Sequence, residues 1–445
     1  MKTQISRRQF LNNSAAAAGG AAIGTHFATA KSYARVAGAN DRINWAVIGT
    51  GGRGGALIDC LADCENVEIS HVCDADLNAL EKGVQRVEKK VGKKPQREQD
   101  VRKLLESKDI DAVAVATPDH WHTCMALMGL QAGKHVYVEK PCSHNPREGE
   151  LLLEATKWHK TLVQMGNQQR SSDHTIALIN KIRDGVIGKP YLAKAWYSRA
   201  RSSIGTGKIV PVPNYFDWDL WQGPAPRRAF KDNIHPYNRH WIWHWGTGET
   251  LNNGTHEIDV CRWALGVDGY PNIVNTTGGR YHYQDDWEFY DTITAGFQYD
   301  DASIVWGGES CQAKKTLNRG RGSMIYGTRG SAMVDRNGYI LYDEKDNVVQ
   351  EVKSAVQLDV MDTAGGDVMV TEHLTNFLNA IRKGGTLNSP IEDANVSVTT
   401  IHLANIAWKV GRSLNLNPVD GHILGDGEAM QMWGREYEPG WEPKV

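Results

Sequence analysis

A short apolar run followed at once by closely spaced glycines restricts the fold of this chain more than any other feature. Residues 43–48 have the length and apolar character of a buried β-strand. Glycines then follow at positions 49, 51 and 54, in the spacing G-x-G-x-x-G. Glycines at these places permit a tight turn, a close approach of backbone N–H groups to a pyrophosphate, and tight packing of a helix on the strand. The pattern therefore predicts the strand, turn and helix that open a dinucleotide-binding α/β sheet.

An acidic residue at the end of the next predicted strand extends this pattern. Asp74 lies twenty residues after Gly54, the distance at which a carboxylate accepts hydrogen bonds from the ribose hydroxyls of the cofactor. The same carboxylate would repel a 2′-phosphate, and residues 73–76 contain no arginine that would reverse this preference. We therefore expect NAD as the cofactor, in preference to NADP. The residues expected to bind it from this region are Gly49, Thr50, Gly51, Gly52, Arg53, Gly54 and Asp74.

Strand-like and helix-like segments alternate through the first part of the chain, which implies βαβ crossovers and a doubly wound parallel sheet. From about Lys189, Trp, Tyr, Pro and Gly become frequent, and segments between 272 and 350 alternate in the manner of antiparallel strands. The predicted fold class is α/β, with an N-terminal Rossmann domain and a C-terminal α+β domain built on a mostly antiparallel open sheet. The expected early segments are strands 67–73, 112–116, 136–138 and 161–165, and helices 55–61, 77–91, 101–105, 122–131 and 147–159.

The first thirty residues have the composition of an export signal. Arg7 and Arg8 precede an Ala/Gly-rich stretch over 15–23, and the Ala-Thr-Ala sequence at 28–30 suits a signal peptidase. The apolar stretch is too short to span a bilayer permanently, so no membrane anchor is expected. These features predict a twin-arginine signal peptide and an exported, periplasmic protein; the alternative is a disordered basic N-terminus. Because this route moves folded proteins, it suits an enzyme that acquires its cofactor before export.

The chain is expected to divide into five parts. Helices near 372–413 are expected to pack back on the Rossmann domain. The parts are a signal peptide over 1–30, a linker over 31–40, the Rossmann domain over 41–166, an α+β substrate and oligomerisation domain over 167–415, and a C-terminal tail over 416–445.

The charge balance excludes some partners. Lys and Arg total 50 against 52 Asp and Glu, so no basic field is present that would attract nucleic acid, and a small neutral substrate fits better. The seven cysteines show no metal-type spacing. Two histidine pairs, His120 with His122 and His240 with His244, have a spacing that would suit metal ligands. Neither pair has a convincing third ligand. No metal is expected.

Two further segments lie at the predicted carboxyl ends of strands, where ligands bind in open α/β sheets. They read T-P-D-H-W-H at 117–122 and E-K-P at 139–141. With the glycine turn and G-T-H-E-I-D at 254–259, they resemble the Gfo/Idh/MocA family, which includes glucose-fructose oxidoreductase and inositol dehydrogenase. The resemblance covers nearly all of the chain after the predicted signal. The further cofactor contacts that it implies are Thr117, Pro118, His120, His122, Glu139, Lys140 and Asn167.

The resemblance also implies two catalytic residues, Lys140 and His256. Oxidation of a secondary alcohol needs a base and a donor that steadies the developing alkoxide. Lys140 suits the second role and by analogy the first, because partial desolvation can lower the pKa of a lysine. His256 matches a family histidine that has an aspartate four residues earlier, but here that position is Asn252, which cannot accept a proton. Glu249 or Asp259 could supply the missing carboxylate.

Aromatic residues are concentrated between 217 and 245, with five tryptophans among them. Flat indole faces pack against the apolar C–H face of a pyranose, which indicates a carbohydrate substrate, although tryptophan is equally common in cores. The expected substrate contacts are Arg170, Tyr197, Trp241, His244, Asn252 and His256.

The resemblance thus implies a homo-oligomeric, NAD-dependent oxidoreductase acting on CH–OH groups, and the N-terminal signal predicts that it is exported. It would transfer a hydride between a secondary alcohol of a sugar and tightly bound NAD. One alternative is an NAD-dependent glycoside hydrolase, similar to relatives that oxidise a sugar transiently, eliminate its aglycone, add water and reduce it again. Another is a non-catalytic sugar-binding protein, which the presence of Lys140 and of the glycine turn disfavours.

Overall fold

Six parallel strands form the first sheet in the computed structural model, which describes residues 41–358 and 368–445. The strands are β1 (Ile43–Ile48), β2 (Val67–Cys73), β3 (Gln96–Glu98), β4 (Ala112–Val115), β5 (His135–Val138) and β6 (Val163–Met165). Their order in space is β3-β2-β1-β4-β5-β6. The strand order reverses between β1 and β4, and ligands bind at such a switch point in open α/β sheets. The predicted Rossmann sheet is confirmed.

Helices cross over between these strands. Asp76 caps the second of them by accepting hydrogen bonds from the backbone N–H groups of Asn78 and Ala79, and Gly92 ends it in the left-handed conformation. Asn145 caps the fifth, which begins at Pro146. The helices are α1 (Gly52–Asp63), α2 (Leu77–Val91), α3 (Val101–Leu105), α4 (His122–Gln131) and α5 (Pro146–Trp158).

Nine strands form a second sheet. The strands are β7 (Pro190–Ser198), β8 (Ile273–Gly279), β9 (Thr292–Gln298), β10 (Ser303–Glu309), β11 (Arg321–Gly327), β12 (Gly330–Asp335), β13 (Gly338–Tyr342), β14 (Val348–Lys353) and β15 (Leu414–Asn415). They lie in the order β14-β13-β12-β11-β7-β10-β9-β8-β15. Only β7 and β10 pair in parallel, while the other neighbours are antiparallel. The prediction of a mostly antiparallel sheet is therefore confirmed.

The described part of the chain has seven further α-helices, several of which pack on the two sheets. They are α6 (Asp173–Arg183), α7 (Trp218–Gln222), α8 (Gly248–Asn252), α9 (Gly254–Leu265), α10 (Val368–Lys383), α11 (Ile391–Val410) and α12 (Gly427–Gln431). Helix α9 is buried along almost its whole length and packs against β7 and β11. This packing brings the α8–α9 junction towards the carboxyl edge of the first sheet.

Two late segments of the chain pack on the Rossmann domain. Apolar residues three and four apart on α10 form one face, and Phe377 on that face meets Trp45 of β1 with ring centroids 5.9 Å apart. In the tail, the Arg435 guanidinium donates to the carbonyl oxygen of His120 at 2.7 Å, and Trp441 meets Trp121 edge-on. These contacts fix the loop that follows β4.

The predicted export signal over 1–30 and the predicted linker over 31–40 lie outside the described residues. Across residues 41–358 and 368–445, no helix has the length and apolar character that a membrane crossing requires.

Candidate active site

A cleft of about 760 Å³ opens at the carboxyl ends of β1, β2, β4 and β5. One wall is the Rossmann domain, and the other comes from residues 215–240 and from the α8–α9 junction. The residues predicted from sequence that border it are Gly49, Thr50, Gly51, Gly52, Arg53, Asp74, Thr117, Pro118, His122, Glu139, Lys140, Asn252 and His256.

The glycine turn shapes the floor of this cleft. Gly49 has a φ of +84°, and a Cβ atom there would lie 2.6 Å from the carbonyl oxygen of Ala116. A Cβ atom on Gly54 would lie 1.7 Å from the carbonyl oxygen of Gly49, so only glycine lets α1 approach β1 this closely. At Gly51 and Gly52, by contrast, a Cβ atom would meet nothing within 4 Å. The amino-terminal end of α1 is therefore open to the cleft, where its partial positive charge favours a phosphate.

Asp74 lies beside the turn with its carboxylate fixed. The backbone N–H and the hydroxyl of Thr50 donate to Asp74 Oδ2 at 2.7 and 3.1 Å, and the N–H of Asp76 donates to Oδ1 at 3.0 Å. Burial raises the pKa of Asp74, and these hydrogen bonds oppose the rise. An open glycine floor, a helix N-terminus and a carboxylate at the end of β2 together fit the pyrophosphate and ribose of a dinucleotide.

Replacing Asp74 by asparagine is expected to weaken NAD binding about 10- to 100-fold, because a hydrogen bond to a charged group contributes about 1.5–3 kcal/mol. The ratio of NADP to NAD affinity should rise, since the repulsion of a 2′-phosphate is removed. Titration calorimetry of the NAD-free protein measures both affinities, with Asp63→Asn, an exposed aspartate on α1, as the control. An unchanged NAD affinity in the Asp74 variant would place the ribose elsewhere.

The loops after β4 and β5 are tied together by His122. Its Nδ1 lies 2.6 Å from the carbonyl oxygen of Pro141, and its Nε2 lies 2.9 Å from that of Thr117. The Lys140–Pro141 peptide bond is cis. His122 thus holds the E-K-P segment against the cleft wall.

Lys140, Asn252 and His256 come from different elements and border the same cleft, and the charge of Lys140 acts on His256. The Lys140 amine donates to the backbone oxygen of Asn252 and, at 3.3 Å, to its side-chain oxygen. Burial lowers the pKa of Lys140 to about 8. His256 is 3% exposed, and burial holds its pKa far below the usual range, so its imidazole is neutral. Its Nδ1 has no hydrogen-bond partner among the described residues. The site therefore contains a lysine whose pKa lies near neutral pH, the amide of Asn252 and a neutral histidine.

The two carboxylates proposed from sequence have different surroundings. Glu249 is fully buried and accepts a hydrogen bond from the Asn252 amide at 3.4 Å. Burial alone would raise the pKa of Glu249, but the Arg201 guanidinium, 2.7 Å away, holds it below the usual range. Asp259 instead accepts two hydrogen bonds from Arg170, at 2.7 and 2.8 Å. Only Glu249 is connected to the Lys140 group.

Four residues expected to contact substrate lie away from the cleft, because each has partners inside the protein. Arg170 is engaged by acidic side chains, and the Tyr197 hydroxyl accepts from Arg201 at 3.3 Å. Trp241 is 1% exposed and stacks on Trp287 at 4.0 Å. His244 donates from Nε2 to the carbonyl oxygen of Pro226 at 2.7 Å and borders a separate cavity. The remaining two expected contacts, Asn252 and His256, border the cleft.

Three residues expected to bind the cofactor also lie behind the cleft surface. His120 is fully buried, with Nε2 3.0 Å from the carbonyl oxygen of Trp221. Asn167 is 2% exposed, and its side-chain polar atoms have no hydrogen-bond partner among the described residues. Gly54 acts through the packing of α1 on β1. None of the three residues borders the cleft.

The aromatic segment between 217 and 245 mainly packs on itself. Trp218 and Trp221 stack with ring centroids 4.7 Å apart, and Trp245 meets both edge-on. Phe216 and Phe230 belong to the same buried cluster. Of the five tryptophans in the segment, all within the described residues, only Trp221 borders the cleft. The segment is thus chiefly a small core, and the expected sugar platform reduces to the rings of Trp221 and Tyr237.

Several polar residues of the cleft were not singled out from sequence as site residues. Arg239, Tyr237 and His240 face the Rossmann wall from the opposite side, and burial lowers the pKa of His240 to about 3. Asp119 accepts from the Thr247 hydroxyl at 2.6 Å. Although burial opposes it, neighbouring cationic groups lower the pKa of Asp119. Their only sequence signal is their position inside the aromatic run or the T-P-D-H-W-H motif.

One group of possible metal ligands occurs among the described residues, and it lies outside the cleft. His282, Asp291 and Cys311 have ligand atoms within 4.8 Å of one another. Arg280 pairs with Asp291 at 3.2 Å, so this carboxylate already has a cationic partner.

Two models of one oxidoreductase family match the chain in order. The model of the NAD-binding Rossmann fold of the Gfo/Idh/MocA family matches residues 43–167. The model of the C-terminal alpha/beta domain of this family matches residues 201–359. The chain therefore belongs to the Gfo/Idh/MocA oxidoreductase family, and its N-terminal domain is an NAD-binding Rossmann domain.

Curated relatives resemble part of the chain. A glycosyl hydrolase family 109 protein of Solibacter usitatus is 32% identical over 212 residues, which are 45% of this chain and 48% of that protein. An alpha-N-acetylgalactosaminidase of Shewanella oneidensis is 29% identical over 155 residues, 34% of each protein. The chain thus matches about a third to a half of the length of these relatives.

A solved structure shares the fold over almost its full length. The WlbA dehydrogenase from Bordetella pertussis, in complex with NADH and UDP-GlcNAcA, superposes with a TM-score of 0.62 at 17% identity. The match covers 84% of this chain and 99% of that chain.

Proposed function

We propose that this protein transfers a hydride between a secondary alcohol of a sugar, or of a sugar derivative, and tightly bound NAD. The observation that carries the proposal is the contact of Lys140 with Asn252 in the wall of a dinucleotide cleft that His256 also borders. The complex of the WlbA dehydrogenase with NADH and a nucleotide sugar supports both the cofactor and the substrate class.

The side chains at the site divide the work. NAD, when bound, supplies the acceptor or donor of the hydride. The neutral amine of Lys140 takes the proton of the sugar hydroxyl, and its charged form donates to the oxygen in the reverse direction. Asn252 holds the amine in place, and the neutral imidazole of His256 offers a hydrogen bond that orients the substrate. The surrounding protein excludes water and strengthens these interactions.

The rate of alcohol oxidation is expected to rise with pH and to level off above about 8. Lys140 must be neutral to accept a proton, and burial lowers its pKa to about 8. Sugar reduction needs the charged form, so its rate should fall over the same range. Single-turnover absorbance measurements of NADH across this pH window test both directions. If both rates were independent of pH there, Lys140 would not be the proton acceptor.

A second candidate is an NAD-dependent glycoside hydrolase, which the names of the curated relatives favour. Transient oxidation of the sugar would make a neighbouring C–H acidic and allow the aglycone to leave. Water addition and reduction then restore the oxidation state. The same lysine and the same NAD would serve this reaction, which has no net redox change.

Product analysis separates the two candidates. The purified protein is incubated with a panel of free sugars and aryl glycosides while NADH absorbance and product masses are followed. A ketosugar with lasting NADH supports the oxidoreductase. Release of the aglycone without lasting NADH supports the glycosidase. Sugar binding without either product would refute both and leave a binding protein.

We also propose that the protein is exported and forms a homo-oligomer. The twin arginines at 7–8 support export. On the second sheet, the partly buried Tyr326, Ile340 and Tyr342 pack against a small apolar cluster, and we propose this part of the sheet as the subunit contact. Cell fractionation with an Arg7→Lys, Arg8→Lys control tests the first proposal, and light scattering of the purified protein tests the second. A cytoplasmic or monomeric protein would contradict them.

A further inference from the structure

We propose that Glu249 and Arg201 position the amine of Lys140 through the side-chain amide of Asn252. Neither Glu249 nor Arg201 borders the cleft, so both would act indirectly, as positioning residues. The inference rests on the proposed role of Lys140 and identifies which carboxylate serves it where the family pattern leads one to expect aspartate at position 252.

The first step is the orientation of the Asn252 amide. Its nitrogen donates to Glu249 Oε1 at 3.4 Å, and its oxygen accepts from the Lys140 amine at 3.3 Å. A carboxylate only accepts hydrogen bonds and an ammonium only donates them. The reverse orientation would therefore lose both bonds and create two repulsive contacts. Glu249 thus directs the amide oxygen towards Lys140.

The second step is the immobility of Glu249. Arg201 donates to its two carboxylate oxygens at 2.7 and 3.3 Å, and the Asn253 amide donates as well. The Arg201 guanidinium in turn lies over the Trp241 ring, 4.8 Å from its centroid, and donates to the Tyr237 hydroxyl at 3.2 Å. A buried carboxylate with these partners has one orientation, because each lone pair that faces the protein has a donor.

The network joins two walls of one site. Tyr237 borders the cleft at one end of the chain of hydrogen bonds, and Lys140 borders it at the other. The aromatic segment therefore contributes to the site through Arg201, although most of its rings face away from the cleft. A single amide group, that of Asn252, connects the Glu249 carboxylate to the amine of Lys140.

A buried carboxylate–arginine pair without this connection provides a matched control. Asp259 pairs with Arg170 and accepts from the Ser397 hydroxyl at 2.7 Å, and none of these groups contacts Lys140. The charged and titratable groups that face Lys140 in addition to the network are Glu139, Asp119, Arg53, Arg321, His240 and His256.

The test compares Glu249→Gln with Asp259→Asn in the full-length protein. A glutamine keeps the shape of Glu249 but offers an N–H₂ group that lets the Asn252 amide turn over. We expect kcat on the high-pH plateau to fall about tenfold, with KM little changed, because the loss corresponds to one charged hydrogen bond. Asp259→Asn should lower thermal stability without changing kcat on that plateau.

A readout independent of turnover is the reactivity of Lys140 towards acetic anhydride as a function of pH, followed by mass spectrometry with and without NAD. Removing the negative charge of Glu249 should move the midpoint for Lys140 down by about one pH unit. Asp259→Asn should leave it in place. A shifted midpoint in a protein that turns over no sugar would support the positioning network and refute the proposed function separately.

Rescue distinguishes positioning from general damage. In the Glu249→Gln background, Asn252→Asp places a carboxylate directly against Lys140, which should restore most of kcat and raise the midpoint again. If Glu249→Gln does not fold, Arg201→Lys tests the same connection, since it keeps the charge but loses the bidentate contact. An unchanged midpoint and an unchanged plateau kcat in the folded variants, or no rescue by Asn252→Asp, would overturn the inference.

Discussion

Replacing Lys140 by methionine is expected to lower kcat about a thousandfold, the usual contribution of a positioned proton-transfer group. The methionine keeps much of the apolar stem and loses the amine that contacts Asn252. NAD binding should survive, because the glycine turn and Asp74 lie on other strands and keep their own hydrogen bonds. Single-turnover reduction of NAD by the sugar, together with NAD titration, measures the two effects separately.

Lys134 offers the control for this substitution. It is also a buried lysine, but it precedes β5, at the edge of the sheet opposite the cleft. Its amine donates to the carbonyl oxygen of Ser107. Lys134→Met should therefore lower the stability somewhat, because it removes one hydrogen bond to a neutral carbonyl oxygen. Its kcat should stay within about twofold of the wild-type value. A Lys140→Met protein that keeps the wild-type kcat would refute the proposed chemistry.

Replacing Gly54 by alanine is expected to lower the free energy of unfolding by about 3 kcal/mol, as overpacking against rigid backbone does. The added methyl group would lie 1.7 Å from the carbonyl oxygen of Gly49. Relief requires α1 to move away from β1, which carries the helix N-terminus away from the pyrophosphate site. The protein should consequently lose most of its retained NAD. Urea unfolding and cofactor content after purification measure these two losses.

Gly52→Ala is the matched control for stability. A Cβ atom at this position meets nothing within 4 Å, and alanine favours the first turn of α1. Its unfolding midpoint should equal or exceed that of the wild type. If Gly54→Ala unfolded at the same urea concentration as Gly52→Ala, the close contact of α1 with β1 would not contribute to stability.

The hydrophobic pattern was enough to predict most of the Rossmann sheet. Strand β2 and helix α2 begin and end at the residues that the sequence pattern predicts. A buried strand shows a short apolar run and an amphipathic helix shows apolar residues three and four apart, and both are strong local signals. Strand β3, over Gln96–Glu98, was missed. It lies at the sheet edge with exposed polar side chains, so hydrogen bonding to β2 defines it without any apolar pattern.

The candidate site was predictable where a residue's role follows from a local motif. The glycine turn, Asp74 and Lys140 lie on the cleft because strand ends converge at one edge of a parallel sheet. Trp241 and Arg170 did not follow this logic. Their side chains are satisfied by partners distant in sequence, Trp287 and Asp259, and residue type alone does not reveal such partners.

The most direct test of the account is the transfer of deuterium from a sugar labelled at its secondary C–H positions to the retained NAD. The cofactor is released after a single turnover, and the mass of its nicotinamide is measured by mass spectrometry. We expect deuterium in the cofactor of the wild-type protein and none above background in Lys140→Met. Conversion of the sugar without label in the cofactor, or equal label in the variant, would contradict hydride transfer at this site.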